Sequence, residues 1–362
     1  LPYRDSLKIG LILAEQGPAG LWAPSAIACA QLAIREINAS GGLLGRRLDL
    51  VTVDCGPDAE TATENTLHAL EVEGVEAILG MFPSYARQGV IRANRARVPF
   101  LYTPQFEGSE DSRLVITTGE TARELLETAV NWLIEHRHAR RFFLCGNNYR
   151  WPRNSCDIAR EVIRRAGAEV VGEGYVAIDC QEYEPLLRQI RLSRADVVLP
   201  HFLGSDAIGF NRSFAEAGLA RRTLRCAFGL DETIVYGLEE GMTENLYTTS
   251  GYFSALRSSR NAAFLERYHA LHGASPPPAN AYGQSCYEGL YTFAALAERS
   301  GDTRAEAIRA GAGPLHLRRS ARGPDGHAAS GQREMHLAAV NGYDFDILHT
   351  KAARNPAGTI SL

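Results

Sequence analysis

The sequence predicts an α/β protein made of two doubly wound, parallel-sheet units. Three observations predict it. Short apolar runs alternate with stretches of helical periodicity through about residue 228, the alternation restarts near Gly119, and the length of 362 residues suits about two domains at roughly 150 residues each. Strand–helix–strand order of this kind yields a parallel sheet covered by helices on both faces.

Each element has a local reason. Residues 7–14 (LKIGLILA) form an apolar run ending at Gly17 and Pro18, a buried strand. Ala26, Cys29, Ala30, Ala33, Ile34 and Ile37 recur at helical spacing, and Gly41 and Gly42 end that helix. A strand over 48–53 follows, then a helix over 58–72 with Asp58 as its N-cap. A strand over 77–80, a helix over 84–94 and a strand over 98–102 complete the first unit. The second unit repeats the order. Leu125, Leu126, Ala129, Val130, Trp132 and Leu133 mark a helix; strands over 141–145, 170–176, 195–200 and 224–228 alternate with helices over 158–166 and 186–192 and one after residue 200. The last third departs from this rhythm. A strand over 247–253 precedes two helices, 262–272 and 281–297, separated by Pro276, Pro277 and Pro278. A polar, Gly-rich stretch (311–313, 318–331) leads to strand-like pieces at 335–340 and 345–348.

Composition excludes several function classes. Hydrophobic residues at 45% and charged residues at 22% exclude disorder along the whole chain. A net charge of -4 argues against direct nucleic-acid binding, and no apolar run approaches the roughly 20 residues of a membrane span. The chain opens at Leu1 with neither Met nor an apolar leader; a signal was removed or there was none. Its 7 cysteines are widely and irregularly spaced with no C-x-x-C, which argues against zinc and for buried thiols. That usage favours a reducing cytoplasm over the periplasm.

Catalytic motifs are missing. There is no P-loop, no G-x-G-x-x-G after the first strand, and no G-x-S-x-G; residues 283–286 (GQSC) lack the closing Gly. His201, at a strand's carboxyl end, reads as a satisfied polar or pocket-lining group rather than a base. No enzyme, cofactor or metal site is therefore expected. Ligands of open α/β sheets bind beyond the carboxyl ends of strands, and here those ends are polar and aromatic. Phe82 and Ser84 follow the third strand; Ser84 would grip a carbonyl or carboxylate at a helix N-terminus or serve as a plain N-cap. Tyr102, Thr103 and Gln105 follow the fourth strand, and Tyr149 and Trp151 could close over a small ligand or pack the lobes together. Phe202, Asp206 and Asp231 end two further strands, with Asp206 and Glu232 as N-caps first and ligand contacts second.

Taken together, the segments KIGLILAEQGP, AIREINASGGLLGR (33–46), LGMFPSYAR (79–87), LYTPQFEG (101–108) and GNNYRWPRN (146–154) resemble the type I periplasmic-binding-protein family of leucine/isoleucine/valine-type solute-binding proteins. The resemblance reaches about residue 348. Its Q-[FY]-E-G and Y-x-[FW]-P-R pieces are most similar to the urea and short-chain-amide branch, which includes the amide-sensing regulator of amidase operons. It implies a clamshell of two lobes, 1–118 plus 251–332 and 119–250 plus 333–362, with crossovers near Thr118, Ser250 and Gln332. It also implies that Ser84 binds the ligand's polar head, that Tyr102, Thr103 and Gln105 form a second contact loop, and that Tyr149 and Trp151 fold over the ligand. Phe82 and Trp151 depart from the branch, and Asp231 and Glu232 match its ammonium-binding acid only in an uncertain register.

The implied activity is non-catalytic binding with lobe closure. One role is a cytoplasmic amide sensor that acts through an antiterminator-type regulator. The alternative is a periplasmic receptor for an ABC permease, taking urea, amides or branched-chain amino acids. A homodimer is compatible with either.

Overall fold

The computed structural model describes residues 6–108, 115–239, 241–311, 315, 317, 319–322 and 332–354. In chain order the first unit runs β1 (Ser6–Leu13), α1 (Ala23–Ala39), β2 (Arg47–Asp54), α2 (Ala59–Glu71), β3 (Ala77–Met81), α3 (Ser84–Asn94), β4 (Phe100–Tyr102) and β5 (Ile116–Thr117). Its sheet is wholly parallel, in the order β2-β1-β3-β4-β5. β3 is buried at every residue, as a central parallel strand covered on both faces requires. The Asp58 carboxylate caps α2 as expected, accepting from Glu60 N and Thr61 N.

The second unit runs α4 (Ala122–Arg137), β6 (Arg141–Asn147), α5 (Arg150–Arg165), β7 (Glu169–Val176), α6 (Glu184–Ser193), β8 (Val197–His201), α7 (Gly204–Glu216), β9 (Leu224–Ala227), α8 (Glu232–Val235) and β10 (Leu246–Ser250). Thr121 and Glu124 form a reciprocal capping box that starts α4. The chain then returns to the first sheet through α9 (Ser259–His272), α10 (Ala281–Ser300) and α11 (Ala305–Ala310). Glu36 on α1 is the polar anchor there. It accepts 2.6 Å bonds from Tyr287 and Tyr291 hydroxyls on α10 and from Arg267 Nε on α9. Finally β11 (Gln332–Asn341) and β12 (Asp344–Arg354) add an antiparallel hairpin to the second sheet, in the order β12-β11-β10-β9-β8-β6-β7.

The chain passes between sheets at 118–121 and at 251–258, and a third time before Gln332. A buried ionic cluster ties these passages together: Arg322 pairs with Glu120 at 2.5 Å and with Glu288 at 3.5 Å, and its Nη2 donates to Ser285 Oγ. This is the expected α/β clamshell with three crossovers.

Several local expectations need correction. The helix expected at 158–166 begins at Arg150, because Pro152 falls in the first turn, where backbone N–H groups have no intrahelical acceptor to lose. β5, α8 and α11 are only two to six residues long and show no periodicity to read. The closing strands are longer than expected, since hairpin pairing carries them past their apolar cores. The Gly-rich stretch 323–331 lies outside the described residues.

Candidate functional site

A cavity of about 30 Å³ lies where the carboxyl ends of strands from both sheets meet. That is room for about two waters. Met81, Phe82, Pro83 and Ser84 reach it from the β3–α3 junction, and Tyr102, Pro104 and Gln105 from the end of β4. Tyr149, Trp151 and Leu203 reach it from the opposite lobe. Ala19 and Trp22, from the turn after β1, and Tyr282, on the first turn of α10, complete the wall.

The polar end of this cavity is Ser84. Pro83 is the N-cap residue of α3 and no side chain caps the helix, so Ser84 is its first helical residue and not an N-cap. Its Oγ is buried without a hydrogen-bond partner. A free hydroxyl beside uncapped helix N–H groups is a ready acceptor site for a carbonyl or carboxylate oxygen. The walls are aromatic and held in place. Tyr102 Oη donates to Phe82 O at 2.7 Å, Gln105 Nε2 donates to Tyr282 Oη at 2.7 Å, and Tyr282 packs on Trp22 with ring centroids 4.3 Å apart. Tyr149 lies between Tyr85 and Trp151, at 5.9 and 6.3 Å, and burial with the neighbouring phenols holds its hydroxyl well above the usual tyrosine range. Among the described residues, no Asp, Glu, Lys or Arg lines this cavity.

Six of the ten residues expected at the site therefore meet there: Phe82, Ser84, Tyr102, Gln105, Tyr149 and Trp151. Thr103 does not. Its side chain turns away from the cavity, donating to Gly80 O at 3.1 Å and facing Cys286 Sγ on α10. Phe202 is a core residue, stacked on Phe210 at 4.6 Å and edge-on to Tyr183 at 5.8 Å, and its neighbour Leu203 takes the wall position. Asp206 is not an N-cap but lies in the first turn of α7 and ties loops together, accepting from Asn147 Nδ2 at 2.6 Å and Asp179 N at 2.9 Å. Asp231, rather than Glu232, caps α8 through Oδ1. It lines a smaller cavity of about 10 Å³ behind Tyr282 and Gln105. Its Oδ2 has no partner, Trp22 Nε1 approaches it without a good hydrogen bond, and burial beside Glu232 holds the carboxyl far above the usual range. Burial that disfavours the charged carboxylate makes it a poor counter-ion for an ammonium.

His201 is buried and lines neither cavity. Its Nδ1 lies 3.1 Å from Leu199 O, and burial lowers its pKa to about 4, so it stays neutral. Trp22 and Tyr282 were not foreseen. Trp22 comes from the end of β1, a strand end of the same type as those read, whereas Tyr282 comes from a helix and carries no sequence signal. The described residues hold no cluster of His, Cys, Asp or Glu able to bind a metal and no helix long and apolar enough to cross a membrane.

The two lobes touch around the cavity. Arg150 Nε on α5 lies 3.0 Å from Glu107 Oε1, Asn280 Nδ2 donates to Thr233 Oγ1 at 2.8 Å, and Gly204 at the start of α7 abuts Pro18 O. The conformation is closed.

Known proteins share this architecture. The family model described as periplasmic binding protein matches residues 6–344. The Leu/Ile/Val/Thr-binding protein of Salmonella typhimurium is 20% identical over 204 residues, 55% of each chain, so the match spans about half the length of that relative. A solute-binding protein of an ABC transporter from R. palustris, solved with benzoate, superposes with a TM-score of 0.83 at 18% identity, covering 97% of this chain and 98% of that one. A branched-chain amino acid transporter substrate-binding protein from Streptococcus pneumoniae, solved with isoleucine, gives 0.79 at 18%, covering 96% and 99%. Each of the three is named as a binding protein, and the match over nearly the whole chain makes this chain a member of the periplasmic binding protein family.

Proposed function

We propose that this chain is the solute receptor of an ABC importer and that its solute is a short-chain amide or a urea-like molecule. The observation that carries the ligand class is the buried, unpartnered Ser84 hydroxyl at the uncapped end of α3, inside a small aromatic cavity without an ionised side chain. A neutral amide satisfies both needs: its carbonyl accepts at α3, and its short apolar end fills the ring-lined space. A free amino acid is disfavoured, because Tyr282 shields Asp231 from the main cavity and burial disfavours its charged form. In this reading Phe82, Ser84, Tyr102, Gln105, Tyr149 and Trp151 bind the ligand, and residues 1–118 plus 251–332 and 119–250 plus 333–362 are the two closing lobes. The protein binds its ligand and performs no chemistry on it.

The receptor role, a periplasmic location and an ABC permease as partner are supported by what the similar proteins are named to do. The cysteines weigh less against the periplasm than their number suggests. Six of the 7 are buried, and burial pushes the Cys226 and Cys286 thiols up to about 12, where they are inert. A second ligand reading, a small carboxylate, is favoured by the same α3 N-terminus, and the two similar structures were solved with benzoate and isoleucine.

A thermal-shift screen with acetamide, butyramide, urea, leucine, valine and benzoate tests the proposal. A ligand at about 100 times its dissociation constant stabilises by about 2.7 kcal/mol. A response to amides or urea alone supports it. A response to benzoate alone installs the carboxylate reading, and a response to leucine or valine alone overturns the neutral pocket.

A further inference from the structure

We infer that Arg150 is the latch of the closed clamshell and Glu107 its catch. The inference rests on the reading that the lobes open and close around a ligand. The two residues belong to the segments QFEG and YRWPR, which follow β4 and open α5, and neither lines the cavity. Glu107 lies on the loop after β4 with its side chain fully buried. Its Oε1 accepts from Arg87 Nη2 on α3, within the same lobe, and from Arg150 Nε, 3.0 Å away on the other lobe.

The burial of the three groups differs in a way that suits a moving part. Arg87 and Glu107 are both 0% exposed, whereas the Arg150 side chain is 35% exposed at the first turn of α5. When the lobes part, Glu107 keeps Arg87 as its buried counter-charge, and Arg150 moves into water that already reaches it. Opening therefore leaves no buried charge unpaired, which is the usual barrier to breaking an interior ion pair. Closing adds one charge-assisted bond across the cleft to an acid that already has a partner in its own lobe.

The catch is also wired to the ligand wall. Arg87 lies over the Tyr102 ring at 4.9 Å, and Tyr102 donates to Phe82 O beside Ser84. On the other side Arg150 directly follows Tyr149, whose ring meets Tyr85 edge-on across the cleft. Arg150 thus acts as a positioning residue: it does not touch the ligand, but it biases the equilibrium toward the form that does. An apparent dissociation constant scales inversely with the closed fraction, so a latch of this partly exposed kind is worth up to about fivefold in affinity.

The test uses Arg150→Met and Arg150→Lys in the full chain. Small-angle scattering without ligand, at low and high salt, reports closure whatever the ligand is. R150M is expected to scatter with a larger radius of gyration than the wild type, high salt is expected to move the wild type toward R150M, and R150M itself is expected not to respond. Stopped-flow tryptophan fluorescence with butyramide is expected to show dissociation about twofold to fivefold faster in R150M, with association nearly unchanged and R150K in between. Melting of the ligand-free R150M close to the wild-type temperature separates a latch from a fold defect. Identical scattering of R150M and wild type at both salt concentrations overturns the latch. Butyramide that fails to bind the wild type overturns the amide reading and leaves the scattering result to decide the latch.

Discussion

Gln105 Nε2 donates a 2.7 Å hydrogen bond to Tyr282 Oη, and this pair is the partition between the main cavity and the smaller one that Asp231 lines. Gln105 comes from the loop after β4 and Tyr282 from α10, so the partition is built within one lobe and is complete before the lobes close. Replacing Tyr282 by Ala removes the ring, its tilted contact with Trp22 and the acceptor of the Gln105 amide. The two cavities then join. The variant is expected to bind short amides about tenfold more weakly and to gain a response to larger compounds that extend into the joined space. Thermal shift against the same compounds checks this; an unchanged ligand order would show that the partition does not set specificity.

Ser84 offers the sharper substitution. Its hydroxyl has no protein partner to lose, so Ser84→Ala leaves the empty protein as stable as before or slightly more so, since an unsatisfied buried group is removed. The cost falls on the bound state. A ligand whose polar head relied on that hydroxyl is expected to bind about tenfold more weakly, or worse. Calorimetric titration with the responding compound measures it, with the melting temperature of the empty protein as control. Equal affinity in S84A and wild type would remove Ser84 from the ligand's contacts.

Closure itself is probed at Gly204, which stands at the start of α7 with φ +28° and directly against Pro18 O of the other lobe. A Cβ built there lies 1.7 Å from that carbonyl oxygen. Gly204→Ala adds strain in the left-handed region and a clash that only opening the lobes relieves. The expected outcome is at least about a tenfold loss of affinity with a smaller change in melting of the empty protein. Wild-type affinity in G204A would mean that the bound form does not bring these two backbones together.

The reach of the sequence is clearest along β4. The rule that ligands gather at strand carboxyl ends led to Tyr102, Thr103 and Gln105, but β4 ends at Tyr102 and the chain bends at Pro104, so strand alternation no longer fixes which side chains face the ligand. Tyr102, Pro104 and Gln105 turn to the cavity while Thr103 turns into the packing against Cys286. The order of residues reveals the strand end but not which face of it is lined. Phe202 and Leu203 repeat the lesson after β8. Asp206 fails for another cause: whether a carboxylate serves a ligand or a loop depends on partners such as Asn147 and Asp179, 59 and 27 residues away in sequence. Tyr282 was beyond reach because α10 is brought to the cleft only by the return of the chain to the first sheet. The long central strands and helices were legible from their apolar periodicity, and the short ones, such as β5, were not, because two residues have no period.

Two of the buried groups that make stability depend on pH, His201 and Glu232, act in opposite directions. His201 is stacked on Phe228 with centroids 4.7 Å apart and meets Trp151 edge-on, and burial lowers its pKa from the ordinary 6.5 to about 4. Between those values the unfolded chain binds a proton that the folded ring refuses, so stability falls as the solution is acidified from about pH 6.5 to about pH 4. Glu232 runs the other way. Burial raises its carboxyl to about 7, while its Oε1 accepts from Ser254 N and Oγ at 2.6 and 2.9 Å. Here the folded state holds a proton that the unfolded chain releases above about 4.5, so stability falls as pH rises from about 4.5 to about 7. At about 1.4 kcal/mol per pH unit, each group contributes about 3 kcal/mol across its window, and the two largely cancel in the wild type. Single variants separate them. Glu232→Gln keeps the Ser254 bonds without the charge, and its stability relative to wild type is expected to rise by about 3 kcal/mol between pH 4.5 and 7.5. His201→Phe is expected to gain on the wild type by a similar amount as the pH falls from 7 to 4, whatever its starting stability. Urea unfolding at four or five pH values measures both, and stability curves that run parallel to the wild type's would show that neither group titrates across its window on unfolding.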